Sequence, residues 1–274
     1  MEVTEFKSFF EGSSAKCFRA LCDDGKDWVI RCKKKNKNSK RLFSEYVAGK
    51  LAIEFGINRP DCKVVKIPNT FMKKLNGFEN IFDENCSYGV ATLFINNLNS
   101  FKPPKTKSYL DKDFSKINFD FITKEMSGVK NFEQIYALKV FSHWIYLSDY
   151  HKYENLKITQ DKKIVFLDFD LSFESNEGSW GRMPDYSYIK IKTNQAPFWE
   201  GLTNEIDPFL IWLKKLESLT KEECFNKLET IPDCWGIPEL YTLEIFNSLF
   251  DKRLDFKTEF IHAIEFQKDL NSII

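Results

Sequence analysis

The chain has 274 residues, and its 40 basic and 40 acidic side chains leave a formal net charge of zero. No global field therefore draws it onto nucleic acid or an anionic membrane surface. Hydrophobic residues at 43% and charged residues at 29% fit a soluble globular chain that buries a core, as one large domain or two lobes.

Ala15–Cys22 and Asp27–Cys32 read as two strands joined by Asp23-Asp24-Gly25-Lys26, an Asp-Gly turn between apolar runs. Gly12-Ser13-Ser14 is a small-residue loop just before them. The basic run from Lys33-Lys34-Lys35 to Lys40-Arg41 reads as a solvated loop. Leu42, Tyr46, Leu51 and Phe55 recur at helical spacing and predict a helix over Lys40–Phe55, with Gly56 at its C′ position. Asn58-Arg59-Pro60-Asp61 reads as a turn, and Cys62–Ile67 and Tyr88–Ile95 as further strands. Residues 96–116, with Pro103-Pro104, read as a linker. A helix is expected over about Phe132–Leu147, apolar along Ile135, Leu138, Phe141, Trp144 and Ile145, with Asn131 and Gln134 as a capping-box variant. The loop Ser148–Glu154 then precedes a hairpin of Asn155–Thr159 and Ile164–Asp168. Four helices are expected beyond Pro197: Asn204–Ser218, Thr220–Leu228, Pro238–Phe250 and Phe256–Leu270. Thr220 with Glu223 makes a capping box, and Pro238 suits N1.

Seven cysteines occur, an odd number without a C-x-x-C pair, so neither a disulfide framework nor a zinc ribbon is suggested. His143, His151 and His262 lack an H-x-x-x-H spacing, so no histidine metal site is expected. The first residues show no basic region followed by an apolar stretch, and no run of about 18 apolar residues exists. The expectation is a chain in a reducing cytoplasm without a membrane span.

The stretch that carries chemistry runs from Trp144 to Asp170. Asp149 and Asn155 flank a polar loop between a helix and a hairpin, and the second hairpin strand delivers Asp168. Phosphoryl transfer uses such a set: one Asp orients or deprotonates the acceptor hydroxyl, while an Asn and a second Asp hold Mg²⁺ against the phosphates. Asp168 follows an apolar strand, where a merely solvated carboxylate is out of place. Asp170 reads as structural or as a second metal contact, and His151 as orienting the loop or taking part in the chemistry. Singly, Asp149 also reads as a turn cap, Glu45 as a surface helix residue and Gly12-Ser13-Ser14 as an ordinary loop. Their order along the chain favours the chemistry.

These motifs resemble the small stand-alone HipA-like kinases, relatives of the HipA toxin kinase. The resemblance covers about residues 9–175 and, loosely, the helical tail. The family's Gly-Ser-Ser loop is matched by Gly12-Ser13-Ser14. Its Val-Val-Lys strand is matched by Val29-Ile30-Arg31, and its Glu-bearing helix by Ser44-Glu45-Tyr46. Gly56 to Pro60 matches a Gly-Leu-Pro-like turn, and Trp144 to Leu156 the catalytic loop. Phe166-Leu167-Asp168 matches the metal strand, and Ile231-Pro232-Asp233-Cys234-Trp235 a late Ile-Pro-x-x-Trp element.

The resemblance implies an α+β, two-lobed protein-kinase-like fold. Residues 1–95 would form an antiparallel-sheet N-lobe, 96–116 a connection, and 117–274 a mainly helical C-lobe. It implies ATP and Mg²⁺ as cofactors. Gly12, Ser13, Ser14, Arg31 and Glu45 would bind nucleotide, Asp149 and His151 would be catalytic, and Asn155 and Asp168 would hold metal. It further implies a protein Ser or Thr as acceptor, and an antitoxin or other regulatory protein as partner.

Three departures bear on this. Arg31 stands where the family has Lys, with Lys33 on the same strand face as an alternative cation. Tyr150 replaces the Arg after the catalytic Asp. Asn155 follows Asp149 by six residues where five is usual, with Glu154 at the five-residue spacing. Asn155 is the assignment that starts the hairpin in register at Leu156. These departures motivate an alternative, a pseudokinase that binds nucleotide or a partner without catalysis. A phosphatase using Asp168-Phe169-Asp170 as its nucleophile strand is disfavoured, because that motif belongs near the start of an alternating βα fold.

Overall fold

A computed structural model describes residues 1–10, 16–78, 80–100, 128–147, 155–173 and 206–273. Five antiparallel strands form one sheet in the order β1-β2-β3-β5-β4: β1 Val3–Phe9, β2 Phe18–Cys22, β3 Asp27–Cys32, β4 Cys62–Lys66 and β5 Tyr88–Leu93. Helix α1, Lys40–Phe55, links β3 to β4, and α2, Asn69–Phe78, links β4 to β5. A small second sheet joins β6 Asn99–Ser100, β7 Leu156–Ile158 and β8 Ile164–Phe166. The helical part comprises α3 Gln134–Trp144, α4 Asp207–Ser218, α5 Lys221–Asn226, α6 Glu239–Asp251 and α7 Arg253–Ile273. No helix among the described residues is long and apolar enough to cross a membrane.

Period-two alternation gives the main sheet two different faces. Trp28, Ile30 and Cys32 of β3 enter a core shared with Phe18 and Ala20 of β2 and with Met72 and Leu75 of α2. Val29 and Arg31 line a cleft on the opposite face. A second, larger core joins α1 to the helical part through Tyr46, Leu51 and Phe55 on one side and Phe141, Trp144 and Phe246 on the other. Helix α1 thus belongs by sequence to the sheet lobe and by packing to both. The arrangement is the two-lobed, kinase-like α+β fold that the motifs imply.

Gly56 ends α1 as expected. Its φ of 94° is a left-handed conformation that suits glycine, and its N–H closes on the carbonyls of Ala52 and Ile53. Thr220 caps α5, accepting from the Glu223 N–H at 3.2 Å. Other local expectations are corrected. Asn131 and Gln134 form no capping box: Asn131 bonds both backbone groups of Ile164. Gln134 accepts from the Asn58 N–H at 2.6 Å and donates to the Gly56 carbonyl at 3.0 Å. Long-range backbone groups compete successfully for these side chains. Pro238 lies just before α6 rather than at its first position. Strand β1 and helix α2 were not expected, and β6 lies inside the stretch read as a linker.

The expectation of no disulfide is also corrected. Cys86 beside β5 is bonded to Cys234, across 148 residues of sequence. The partner lies in the late Ile-Pro-x-x-Trp element, and that element straps the two parts together. Trp235 donates to the Tyr88 carbonyl at 3.2 Å, and Lys33 donates to the Cys234 carbonyl at 3.1 Å. Glu229 accepts from the Val64 N–H at 3.1 Å and donates its own N–H to the Tyr46 hydroxyl at 2.6 Å.

Candidate active site

A cavity of about 460 Å³ opens between the main sheet, the segment after β5 and the residues after β8. Val29, Val90, Leu93, Phe94 and Leu98 give it apolar walls, while Arg31, Glu45 and Asp168 supply charge at one end. Mostly apolar walls with a few convergent polar groups are the usual make-up of a small-molecule site. Its rim after β5, Phe94 to Leu98, carried no signal in the sequence, where it read as the end of a strand and the start of a linker.

Asp168 reaches this place because β8 ends at Phe166 and the chain turns. The Leu167 N–H donates to the Asn155 carbonyl at 3.1 Å, and the Asp170 N–H donates to Asp168 Oδ1 at 3.1 Å. Asn155 and Asp168 both line a second, small space of about 10 Å³. Helix α1 holds the turn from the other side: Ser44 Oγ donates to the Ser172 carbonyl at 3.1 Å, and Glu45 Oε2 accepts from the Phe169 N–H at 2.7 Å.

Arg31 crosses the cleft to the carboxylates. Its Nη2 lies 3.2 Å from Asp168 Oδ2 and its Nη1 lies 2.6 Å from Asp170 Oδ2. Arg41, from the basic run, comes to 3.8 Å of Asp170 Oδ2, so the run is not wholly a solvated loop. Lys33, the alternative cation, is turned away to Asp83 at 3.2 Å and to the Cys234 carbonyl. Glu45 is not a surface residue. It is 4% exposed, and it pairs with Arg59 Nη2 at 3.1 Å, with no Arg31 ion pair among its described contacts. Arg59 is the residue the sequence reading missed, taken there as part of a turn. Its partner lies 14 residues away on another element, which no local pattern records.

The charges shift one another. Burial pushes the Glu45 carboxyl up to about 7, against the pull of Arg59, and the charge of Asp168 adds to the rise. Burial also opposes ionisation of Asp168. The Arg31 guanidinium, the Asp170 N–H and a hydrogen bond with Glu45 together outweigh it and hold the carboxyl below the usual carboxylate range. Arg31 is itself half-buried, yet Asp168 and Asp170 keep its guanidinium firmly charged.

The donor set fits Mg²⁺. Asn155, Asp168 and Asp170 offer hard oxygens, and Mg²⁺ favours one or two carboxylates with phosphate and water completing its octahedron. Among the described residues, no group of three or more His, Cys, Asp or Glu side chains could hold a metal alone. The remaining expected site residues, Gly12, Ser13, Ser14, Asp149 and His151, lie outside the described residues, as does Glu154.

Residues 3–183 match a family model described as HipA-like kinase. No curated protein matches the chain. Among solved structures, the Helicobacter pylori proinflammatory kinase CtkA is similar at a TM-score of 0.57 and 12% identity, over 95% of this chain and 96% of that one. The Golgi casein kinase is similar at a TM-score of 0.57 and 11% identity, over 96% of this chain and 72% of that one. A structure of the Golgi casein kinase with Mn/ADP bound gives a TM-score of 0.53 at 10% identity, over 97% and 74%. At such identities the structural likeness speaks to the fold.

Proposed function

Because the chain belongs to the HipA-like kinase family, and with it to the kinase-like phosphotransferases, we propose that it transfers the γ-phosphoryl group of Mg-ATP to a Ser or Thr hydroxyl of a protein. The observation that carries this reading is the meeting of Arg31, Asp168 and Glu45 at the charged end of the 460 Å³ cavity, with Asn155 beside Asp168. The Mn/ADP-bound relative of the same fold supports use of a nucleotide and a divalent cation.

In this reading the apolar walls around Val29, Val90 and Leu98 receive the base. The phosphates extend toward Arg31, and the Gly12-Ser13-Ser14 loop offers backbone N–H groups to them. Asn155 and Asp168 would hold Mg²⁺, which would neutralise the charge that builds on the phosphate oxygens. Arg31 exchanges its carboxylate partners for phosphate oxygens. Asp149 orients the acceptor hydroxyl and takes its proton while the new oxygen–phosphorus bond forms, the old one breaks and ADP leaves. His151 steadies that loop. The lobe division at 1–95 and 117–274, a cytoplasmic place of action and a toxin-like role with a regulatory protein partner belong to the same proposal.

A second reading is a nucleotide-binding pseudokinase. It is favoured by Arg31, an arginine at the family's lysine position that engages both carboxylates. The two readings part in one experiment. Purified protein is incubated with γ-labelled ATP and Mg²⁺ beside Asp149→Ala and Asp168→Ala, and label is followed on the protein, on added lysate and as free phosphate. Transfer that requires both aspartates supports the kinase. ATP binding without transfer favours the pseudokinase, and absence of both refutes the site.

A further inference from the structure

Glu45 divides its two oxygens between two tasks. Oε2 accepts from the Phe169 N–H at 2.7 Å, next to the residue expected to hold metal. Oε1 accepts from Arg59 Nη2 at 3.1 Å. The same guanidinium lies over the Phe169 ring, 4.9 Å from its centroid, and its Nε donates to the Pro60 carbonyl at 3.1 Å. Arg59 therefore touches both ends of the Glu45–Phe169 contact, and its side chain is fully buried.

Space is kept for it on the facing helix. A Cβ at Gly49 of α1 would come within 2.3 Å of Arg59 Nη1. Arg31, at the family's lysine position, forms its ion pairs with Asp168 and Asp170. A planar guanidinium suits both jobs at once, hydrogen bonding in its plane and stacking above it, which an ammonium cannot do.

We propose that Arg59 is the positioning residue of the metal strand: by holding Glu45 and covering Phe169 it fixes the backbone from which Asp168 projects, leaving Arg31 to serve the phosphates. This deepens the phosphotransferase reading and rests on it. Arg59 acts through Glu45 and Phe169 and touches no reacting atom.

Removing Arg59 alone would leave Glu45 as a buried charge without its partner, a strongly destabilising change. Two variants avoid that. Arg59→Lys keeps the charge and loses the stacking plane, and the double variant Arg59→Met with Glu45→Gln removes both charges at similar volume. Amide hydrogen exchange in nucleotide-free, metal-free protein is expected to speed up at Phe169 by about tenfold in both, with Ile30 and Ala91 in the main sheet unchanged. In transfer assays of Arg59→Lys, which leaves every nucleotide-binding residue in place, kcat should fall by about tenfold while the KM for ATP stays within about twofold, because the interaction lost is one that aligns the reacting groups.

Wild-type exchange at Phe169 in either folded variant overturns the proposal. So does faster exchange with unchanged kcat, which would make Arg59 a structural residue only. A wild type that transfers no phosphoryl group refutes the phosphotransferase reading by itself. The exchange measurement needs neither nucleotide nor metal, and it then decides whether Arg59 holds the strand.

Discussion

Arg31 Nη1 sits 2.6 Å from Asp170 Oδ2, and the same guanidinium reaches Asp168 Oδ2 at 3.2 Å. One cation thus bridges two carboxylates that a divalent ion would also favour. Arg31→Gln leaves both without that partner, and Asp170 is 5% exposed. The expected loss in unfolding free energy is about 2 kcal/mol, less than for a wholly buried pair because Asp168 is partly exposed. Added Mg²⁺ should raise the thermal midpoint of Arg31→Gln more than that of the wild type, since the ion replaces the missing positive charge. Equal Mg²⁺ responses in the two proteins would show that the guanidinium and the ion do not compete.

Gly89 of β5 supports Arg31 from behind. A Cβ there would lie 2.6 Å from the backbone carbonyl oxygen of Arg31, and that oxygen belongs to a sheet strand and cannot turn aside. Gly89→Ala must push β3 and β5 apart. The expected cost is about 1–3 kcal/mol of stability, as for overpacking in a core. Nucleotide affinity should weaken with it, because Arg31 moves with its strand. Denaturant unfolding and ATP titration of the variant read both effects, and unchanged values in both would mean that the sheet absorbs the methyl group.

These two residues show where sequence reading reaches. Helix α1 was legible to its last residue, because Leu42, Tyr46, Leu51 and Phe55 repeat at its period and Gly56 stops it. The hairpin that delivers Asp168 was legible as well, through its apolar strands and central turn. Strand β1 was not. Most of its residues are exposed or half-buried, and its pairing with β2 is interrupted by register shifts, so no clean alternation appears. The ion pairs of the site were not legible, although Arg31, Glu45 and Asp168 were each candidates for it. Arg31 and Asp168 are 137 residues apart, and whether Glu45 meets Arg31 or Arg59 depends on how α1 settles against the turn after β8.

The Cys86–Cys234 bond joins the sheet lobe to the strap that carries Trp235. It closes a long loop, so its removal should lower stability by about 2–4 kcal/mol. Under denaturing, non-reducing conditions the oxidised protein should show five free thiols, at Cys17, Cys22, Cys32, Cys62 and Cys224. Reductant should lower its thermal midpoint, and the double variant Cys86→Ser with Cys234→Ser should start lower and not respond. Seven free thiols in protein purified without reductant would mean that the pair is held reduced, and the midpoint would then be insensitive to reductant in both proteins.

His143 on α3 gives the fold an acid-sensitive point away from the active site. Its Nδ1–H donates to the Lys139 carbonyl at 2.8 Å, and its ring meets Phe260 edge-on at 5.7 Å. Burial, with the nearby Lys139 charge adding to it, pushes the imidazole down from 6.5 to about 4, against the opposing pull of the carbonyl. Between those values the unfolded chain takes up a proton that the folded chain refuses. The contribution of His143 to stability is therefore intact above about pH 6.5 and is lost as the pH falls toward 4. Glu45 acts with the opposite sign. Its carboxyl is raised from 4.5 to about 7, so its contribution is intact below 4.5 and is lost as the pH rises through 7. The share of His143 is thus read as a difference between the wild type and His143→Gln, whose amide can keep the bond to Lys139 without titrating. Urea midpoints measured from about pH 7 down to about pH 5 should fall more steeply for the wild type than for the variant. Parallel slopes would mean that the imidazole is hydrated enough to charge in the folded protein.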